Sequence, residues 1–176
     1  MGFLQQGAVF AADWLVVLPV VVAMATAALL VIANGARELQ WGGAVLGVAA
    51  VLLIDAALLA RVLELGPVSL TMGNWLPPFG ISFTVDVVGA TFALVAAGVT
   101  LVLLVYLRAD MPDGARERGV YPLILLLLAG VSGAFLTGDL FNLYVWFELM
   151  LIASFGLMAL GGRDVQLDAT VKYGFL

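Results

Sequence analysis

Five long apolar stretches constrain the fold of this sequence more than any other feature. They cover residues 14–33, 42–60, 87–107, 119–137 and 140–161, and together they carry only two charged side chains, Asp55 and Glu148. A helix needs about 20 mostly apolar residues to cross a hydrocarbon core of about 30 Å. The sequence therefore predicts an all-α polytopic membrane protein with about five transmembrane helices.

Composition excludes several other classes of protein. Hydrophobic residues make up 64% of the chain and charged residues 11%, against about 25% charged residues in soluble domains. The net charge of −5 argues against nucleic-acid binding, which needs basic side chains to meet phosphates. Without cysteine or histidine, the chain lacks the usual ligands of zinc, haem and iron–sulfur clusters. Since no catalytic motif is present, we predict a transporter component with no cofactor and no metal site, and not an enzyme.

The two ends of the sequence indicate a larger protein. Asp13 stands directly before the first apolar stretch, and no basic region precedes it, so we interpret that stretch as a retained span and not as a signal peptide. A sixth segment, residues 169–176, is too short to span a membrane. We expect residues 1–176 to form one membrane domain, the N-terminal portion of a longer chain.

Two connections between the stretches carry turn signals. Only Thr137, Gly138 and Asp139 separate the fourth stretch from the fifth, and one helix through both would be far too long for a bilayer, so we predict a tight helical hairpin. The alternative is one kinked helix. Between residues 66 and 85, apolar and hydroxyl residues alternate before Gly73-Asn74, which predicts a short β-hairpin, with an irregular loop as the alternative.

The distribution of basic residues predicts the orientation in the membrane. On the side of the N-terminus, the loops hold only Arg61. The loops on the other side hold six basic residues: Arg37, Arg108, Arg116, Arg118, Arg163 and Lys172. Because cytoplasmic loops are enriched in Lys and Arg, we expect the N-terminus outside the cell.

Glu148 is the strongest candidate for a functional residue. It lies nine residues after Asp139, about 13 Å along the helix and close to the middle of the bilayer. No Lys or Arg lies within four residues of it, and Tyr144 is its i−4 neighbour. A carboxylate there must be protonated, paired or hydrated, which suits a proton relay. The alternative is a fixed, protonated or salt-bridged Glu that locks two helices together.

The other polar candidates have weaker signals. Asp55 lies inside the second stretch, and Arg61 is six residues away, a poor spacing for a facing pair. Asp55 is therefore either a transport residue or a hydrogen-bonded group at an interface with a partner chain. Asp86 and Asp139 precede helices and fit helix caps better than carriers. Asn142 is suited to hydrogen bonds between helices, and Lys172 to an interfacial position.

One motif resembles a known family. Residues 133–143 read GAFLTGDLFNL, and Trp146-Phe147-Glu148 and Leu151-Ile152-Ala153-Ser154 follow. The string is similar to the D-type subunit of the Mrp-type multisubunit Na⁺/H⁺ antiporters. Further matching segments are Gly73-Asn74-Trp75, Pro77-Pro78-Phe79-Gly80-Ile81, Val85-Asp86 and Leu167 to Tyr173. The resemblance runs over most of the chain from about Gly66 onward.

The resemblance implies a fold and a mechanism. The fold is a set of inverted helix repeats with discontinuous helices near the midplane. The glutamate at the position of Glu148 belongs to the proton path and works with a lysine on a later helix, beyond this sequence. Lys172 matches the lysine at the start of the family's sixth helix. The implied partners are other membrane subunits of a hetero-oligomeric complex in the cell membrane, protons, and Na⁺ or K⁺.

Two alternatives stay open at this point. The same superfamily includes the proton-pumping, antiporter-like subunits of complex I and of membrane-bound hydrogenases. A non-transporting membrane scaffold is the third interpretation, and there Glu148 would be a fixed anchor.

Overall fold

The computed structural model describes residues 11–33, 37–72, 80–110, 119–160, 162 and 164–174. This part of the chain is mostly helical, as predicted. Its elements are a 3₁₀ helix Ala11–Val16, the α-helices α1 Leu18–Ile32, α2 Arg37–Leu65, α3 Val87–Asp110, α4 Val120–Leu136, α5 Leu140–Ala159 and α6 Asp164–Gly174, and the strands β1 Val68–Thr71 and β2 Ser82–Val85.

The helices differ in how much of a bilayer they can cross. Segments Glu38–Leu65, Val87–Ala109 and Leu140–Ala159 are long and apolar enough to span it, by length and composition. Helices α1 and α4 are apolar but shorter, about 22 and 25 Å at 1.5 Å per residue. The 3₁₀ helix directly precedes α1 and extends it at one end. Helix α6 begins at Asp164, earlier than the expected start near Ala169.

Helices α1 to α4 pack around a shared apolar core, and α5 lies at its edge. Helix α2 packs along α1 and α3, while α4 packs against α1, α3 and α5. Helix α6 in turn contacts α5. The apolar core accordingly draws most of its buried side chains from α1 to α4.

One buried stripe on α2 forms the seam with its neighbours. Its members recur every three or four residues, the spacing of helices packed at a shallow angle: Ala44, Val48, Val51, Asp55, Leu58 and Val62. Five of the six are apolar, and Asp55 lies in the middle. The helix ends at Leu65, and Gly66 follows with a positive φ of 84°, a conformation that glycine adopts readily after a helix.

Charged side chains at the two ends of α2 pair with other elements. Near its C-terminal end, Arg61 forms a 2.6 Å salt bridge with Asp13 of the 3₁₀ helix. Near its N-terminal end, Glu38 lies 3.6 Å from Arg108 of α3, and the guanidinium of Arg108 also stacks over the ring of Trp41. These contacts place Arg61 and Arg108 at opposite ends of the bundle, as the predicted topology requires. Arg116, Arg118, Arg163 and the side chain of Arg37 lie outside the described residues.

The predicted β-hairpin strands are confirmed. Strands β1 and β2 are antiparallel, with Val68 opposite Val85 and Leu70 opposite Phe83. The side chains of Leu70, Phe83 and Val85 are buried, which docks the sheet on the helices. The Gly73-Asn74 turn predicted between the strands lies outside the described residues.

The connection between α4 and α5 is extended and docks on β2. Thr137 forms a β-bridge with Phe83, and the backbone N–H of Gly138 donates to the carbonyl of Ser82 over 2.7 Å. A Cβ at Gly138 would overlap the hydroxyl of Thr84, so this position needs glycine for close approach. The helical hairpin predicted here is therefore present, and the sheet is part of it.

Asp139 and Asp86 both cap helices, as predicted. Asp139 Oδ1 accepts from the backbone N–H of Asn142 over 2.6 Å at the start of α5. Its Oδ2 accepts from the backbone N–H of Ser82 over 2.9 Å, so the same carboxylate also holds β2. Asp86 caps α3 by accepting from the backbone N–H of Gly89 over 2.7 Å.

The contact between α4 and α5 depends on small residues. A Cβ at Gly133 would overlap the indole ring of Trp146, and one at Gly130 would lie 2.7 Å from the side chain of Met150. Helices approach this closely only where one of them lacks a side chain.

We expect Gly133→Ala to destabilise the purified protein by about 1–3 kcal/mol, because the added methyl group would overlap a rigid ring. Thermal unfolding in detergent measures the change. The matched control is Gly42→Ala on α2, where a Cβ meets nothing within 4 Å. Equal unfolding temperatures for the two variants would contradict the tight α4–α5 contact.

We expect Asp139→Ala to destabilise the protein more than Asp86→Ala does. Each substitution removes a cap, which costs about 0.5–2 kcal/mol. Only Asp139→Ala also leaves the N–H of Ser82 without its acceptor, at a further cost of about 1–3 kcal/mol. The same unfolding measurement compares the two, and an equal loss would show that the bond to Ser82 contributes nothing.

Candidate functional site

Glu148 lies near the middle of α5. The helix begins at Leu140 and ends at Ala159, so Glu148 is eight residues after its first residue and eleven before its last. Because Asp139 caps this helix, the predicted height of Glu148, about 13 Å from the cap, agrees with the structure. The side chain is partly buried.

Tyr144, one turn earlier on the same helix, lies close enough to Glu148 for its hydroxyl to interact electrostatically with the carboxylate. The salt bridges found among the described residues join Arg61 to Asp13, Arg108 to Glu38 and Lys172 to Asp168, so none of them neutralises Glu148. A tyrosine hydroxyl beside a carboxylate can donate one hydrogen bond to it, but it does not neutralise the negative charge.

One face of α5 is uncovered in this chain. Its exposed apolar and aromatic side chains are Leu140, Phe141, Tyr144, Val145, Phe147, Leu151 and Ile152. The opposite face, with Trp146 and Met150, packs on α4. Glu148 is one turn from Tyr144 and from Ile152, so it lies on the exposed face, and whatever covers that face also contacts Glu148.

Lys172 pairs locally and not with Glu148. Its Nζ lies 2.5 Å from Asp168 Oδ2, one turn earlier on α6, and both side chains are exposed. The neighbouring Tyr173 packs edge-on against Phe155 of α5 at 5.6 Å. Phe155 is seven residues after Glu148, about 10 Å along the axis, so Lys172 lies nearer the C-terminal end of α5.

Asp55 is enclosed by the chain itself. It is 0% exposed, and neither carboxylate oxygen has a hydrogen-bond partner among the described residues. The expectation of an interface with a partner chain does not fit this position, because the side chain reaches no surface. Arg61 pairs with Asp13 instead, as the six-residue spacing implied.

Three further polar groups are buried near α5. One belongs to Asn142, and the other two belong to residues that sequence reasoning missed. Asn142 is 3% exposed, and its side-chain nitrogen makes no hydrogen bond with the described residues, so the predicted bond between helices is not seen. Ser132 Oγ on α4 and Trp146 Nε1 on α5 are also buried without a described partner. No charge marks these residues in the sequence, and only the packing of α4 on α5 identifies them.

The arrangement is suited to holding and releasing protons. A carboxyl group in an apolar span binds a proton when its partners withdraw and ionises when a cation or water approaches. Within the described ranges, no group of three or more acidic side chains is placed to hold a metal ion.

Known proteins with similar sequences are antiporter subunits. The chain is 38% identical over 159 residues to the D-type subunit of the Na⁺/H⁺ antiporter of Alkalihalophilus pseudofirmus, covering 90% of this chain and 32% of that protein. It is 35% identical over 167 residues to the D-type subunit of a probable K⁺/H⁺ antiporter of Rhizobium meliloti, covering 92% of this chain and 31% of that protein. No protein-family model matches the sequence.

Solved structures with the same fold come from two kinds of membrane complex. A chain of the Mrp complex from Dietzia sp. DQ12-45-1b matches with a TM-score of 0.83 and 31% identity, over 93% of this chain and 31% of that one. A chain of the membrane-bound sulfane sulfur reductase, an archaeal respiratory complex, matches with a TM-score of 0.79 and 29% identity, over 94% of this chain and 33% of that one.

The chain spans about a third of the length of the relatives it matches. Over that third, the similarity in sequence and in fold extends along nearly all of this chain. By sequence and by fold, the chain is therefore similar to part of the D-type subunits of Mrp-type cation/proton antiporters.

Proposed function

We propose that this chain is part of a proton-translocating subunit in a multisubunit Na⁺ or K⁺/H⁺ antiporter of the plasma membrane. The observation that carries the proposal is Glu148, an acid in mid-span without a basic partner among the described residues. The names of the relatives, subunits of a Na⁺/H⁺ and of a probable K⁺/H⁺ antiporter, support exchange of a monovalent cation.

In the proposed mechanism, Glu148 alternates between protonated and ionised forms. The hydroxyl of Tyr144, one turn earlier on α5, would donate to the ionised form and so lower the cost of the charge. A lysine elsewhere in the full-length subunit, which the family resemblance implies, would stabilise the ionised form as it approaches and favour proton uptake as it withdraws. Neighbouring subunits would couple these steps to the opposing cation flux.

Lys172 has a separate place in this proposal. Because it lies about 10 Å beyond Glu148 along α5, it suits the end of the path toward the basic side of the membrane. Its present pairing with Asp168 is exposed at both side chains, and exposed pairs contribute about 0–1 kcal/mol. Lys172 can therefore leave Asp168 at little cost.

The orientation with the N-terminus outside is also part of the proposal. The bias of basic residues supports it, and Arg108 is held at the proposed cytoplasmic end by Glu38 and Trp41. The uncovered face of α5 is the proposed contact with the rest of the subunit or with another membrane subunit.

A redox-driven proton pump is the second candidate function. Its support is the match to a chain of a respiratory membrane complex at a TM-score of 0.79. The membrane part would work in the same way, but the energy would come from electron transfer in partner subunits. Purification of the native complex separates the two, since cluster- or quinone-binding partners occur only in the second.

We expect Glu148→Gln in the assembled complex to abolish cation/proton antiport, because glutamine cannot exchange a proton. Glu148→Asp should retain part of the activity. The measurement is the collapse of a preformed pH gradient in vesicles after addition of Na⁺ or K⁺.

The control for neutralising a carboxylate is Glu38→Gln. Glu38 is exposed at the end of α2, and its loss should leave antiport unchanged. A Glu148→Gln complex that assembles normally and exchanges cations at the wild-type rate would remove Glu148 from the mechanism. Loss of assembly with both Gln and Asp at position 148 would favour a scaffold role.

A further inference from the structure

Asp55 is a buried acid that the proposed antiport mechanism does not use. It interrupts an otherwise apolar stripe of α2, is 0% exposed, and its two oxygens have no hydrogen-bond partner among the described residues. An ionised carboxylate in such a place is very costly, because water is replaced by apolar side chains. The neutral, proton-bearing form is the one that these surroundings accept.

The charged groups on the elements around Asp55 lie at their ends. Helix α1 carries no ionisable side chain. Among the described side chains, the ionisable groups of the other elements packed here are Asp13 in the 3₁₀ helix, Glu38, Arg61 and Glu64 on α2, Asp86, Tyr106 and Arg108 at the two ends of α3, and Tyr121 at the start of α4. No described cation is therefore at the height of Asp55.

Contacts between α2 and α3 fix the height of Asp55 in the bundle. The two helices are antiparallel, with Trp41 hydrogen-bonded to the carbonyl of Leu104, and Leu52 facing Gly98. One turn further along α2, Asp55 is level with the turn of α3 that precedes Gly98.

Contacts between α3 and α4, and between α4 and α5, relate the height of Asp55 to positions on α5. On α3, Gly89 faces the backbone of Phe135 of α4, which places the turn before Gly98 level with residues 127–130 of α4, about one turn from Ser132. Gly133 and Gly130 of α4 face Trp146 and Met150, on either side of Glu148. Asp55, Ser132 and Glu148 therefore lie within about one helical turn of one another in height, on three helices.

Asp55 lies a short distance from one end of the bundle. Arg61 is six residues further along α2, about 9 Å away, and its salt bridge with Asp13 is partly exposed, at 18% and 17% of the two side chains. Because both side chains of that ion pair are partly exposed, solvent can reach this end of the bundle, about 9 Å from Asp55 along α2.

We propose that Asp55 is a second proton-binding site, buried in the core of the bundle within about one turn of the height of Glu148, which releases its proton as the pH rises. Whether Asp55 binds a proton does not depend on the proposed antiport function. A contribution of that proton to transport does rest on the proposed function.

Infrared difference spectroscopy of the assembled complex in lipid nanodiscs, between neutral and alkaline pH, tests this directly. We expect a C=O stretching band of a protonated carboxylic acid that disappears at alkaline pH, shifts in heavy water, and is missing from Asp55→Asn. The band should persist in Glu148→Gln, even though antiport is lost there. The two variants thus separate failure of this proposal from failure of the proposed function.

Two results would overturn the proposal. A pH difference spectrum of Asp55→Asn identical to that of the wild type would mean that Asp55 does not change its protonation. Absolute spectra then show the reason: a carboxylic acid band missing only from Asp55→Asn means a permanently neutral structural acid, and no such band means that Asp55 is ionised and paired with a group from the rest of the subunit. Should Asp55→Asn fail to assemble, Asp55→Glu keeps the acid and should displace the band, and an undisplaced band would count against the site.

Discussion

The two hydrogen bonds that Asp139 accepts hold α5 and the sheet in one position, and the placement of Glu148 depends on them. One oxygen caps α5 and the other binds the N–H of Ser82 in β2. Among the described residues, one face of α5 is exposed and the other packs mainly on α4 and, further along, on α6, with Trp146 beside Phe83 of β2. The cap sets where the helix begins, and the nine residues that follow set the depth of Glu148.

Charges at the ends of the helices and charges inside them have different surroundings. At the ends, Arg61 meets Asp13, and Arg108 meets Glu38 and the ring of Trp41. In the middle, Asp55 and Glu148 have no described cation. Since an unpaired charge in an apolar interior is far more costly than one at an interface, these two acids persist only as groups that hold protons or gain partners. The proposed proton binding thus depends on two facts: Asp55 and Glu148 lie inside the helices, and no described Lys or Arg lies beside them.

Local signals made most of the fold predictable. Apolar length identified the helices, Asp86 and Asp139 before helices identified the caps, and alternation around residues 68–72 identified β1. The contacts that could not be predicted join residues far apart in the chain: Arg61 with Asp13, Ser82 with Asp139, and Thr137 with Phe83. The height of Glu148 was predictable because it needs only a cap and a count of residues. The enclosure of Asp55 was not, since it depends on how four helices turn toward one another.

The two buried acids differ in what controls their surroundings. Asp55 is 0% exposed and lies in the stripe of α2 that faces the core of α1 to α4, so its surroundings are fixed within this chain. Glu148 lies on the exposed face of α5, so its surroundings are completed by whatever packs there. A transporter must change the proton affinity of at least one group during its cycle, and such a change needs a neighbour that can move relative to that group. Only Glu148 meets that requirement here, because the helices around Asp55 pack too closely to rearrange without disrupting the core.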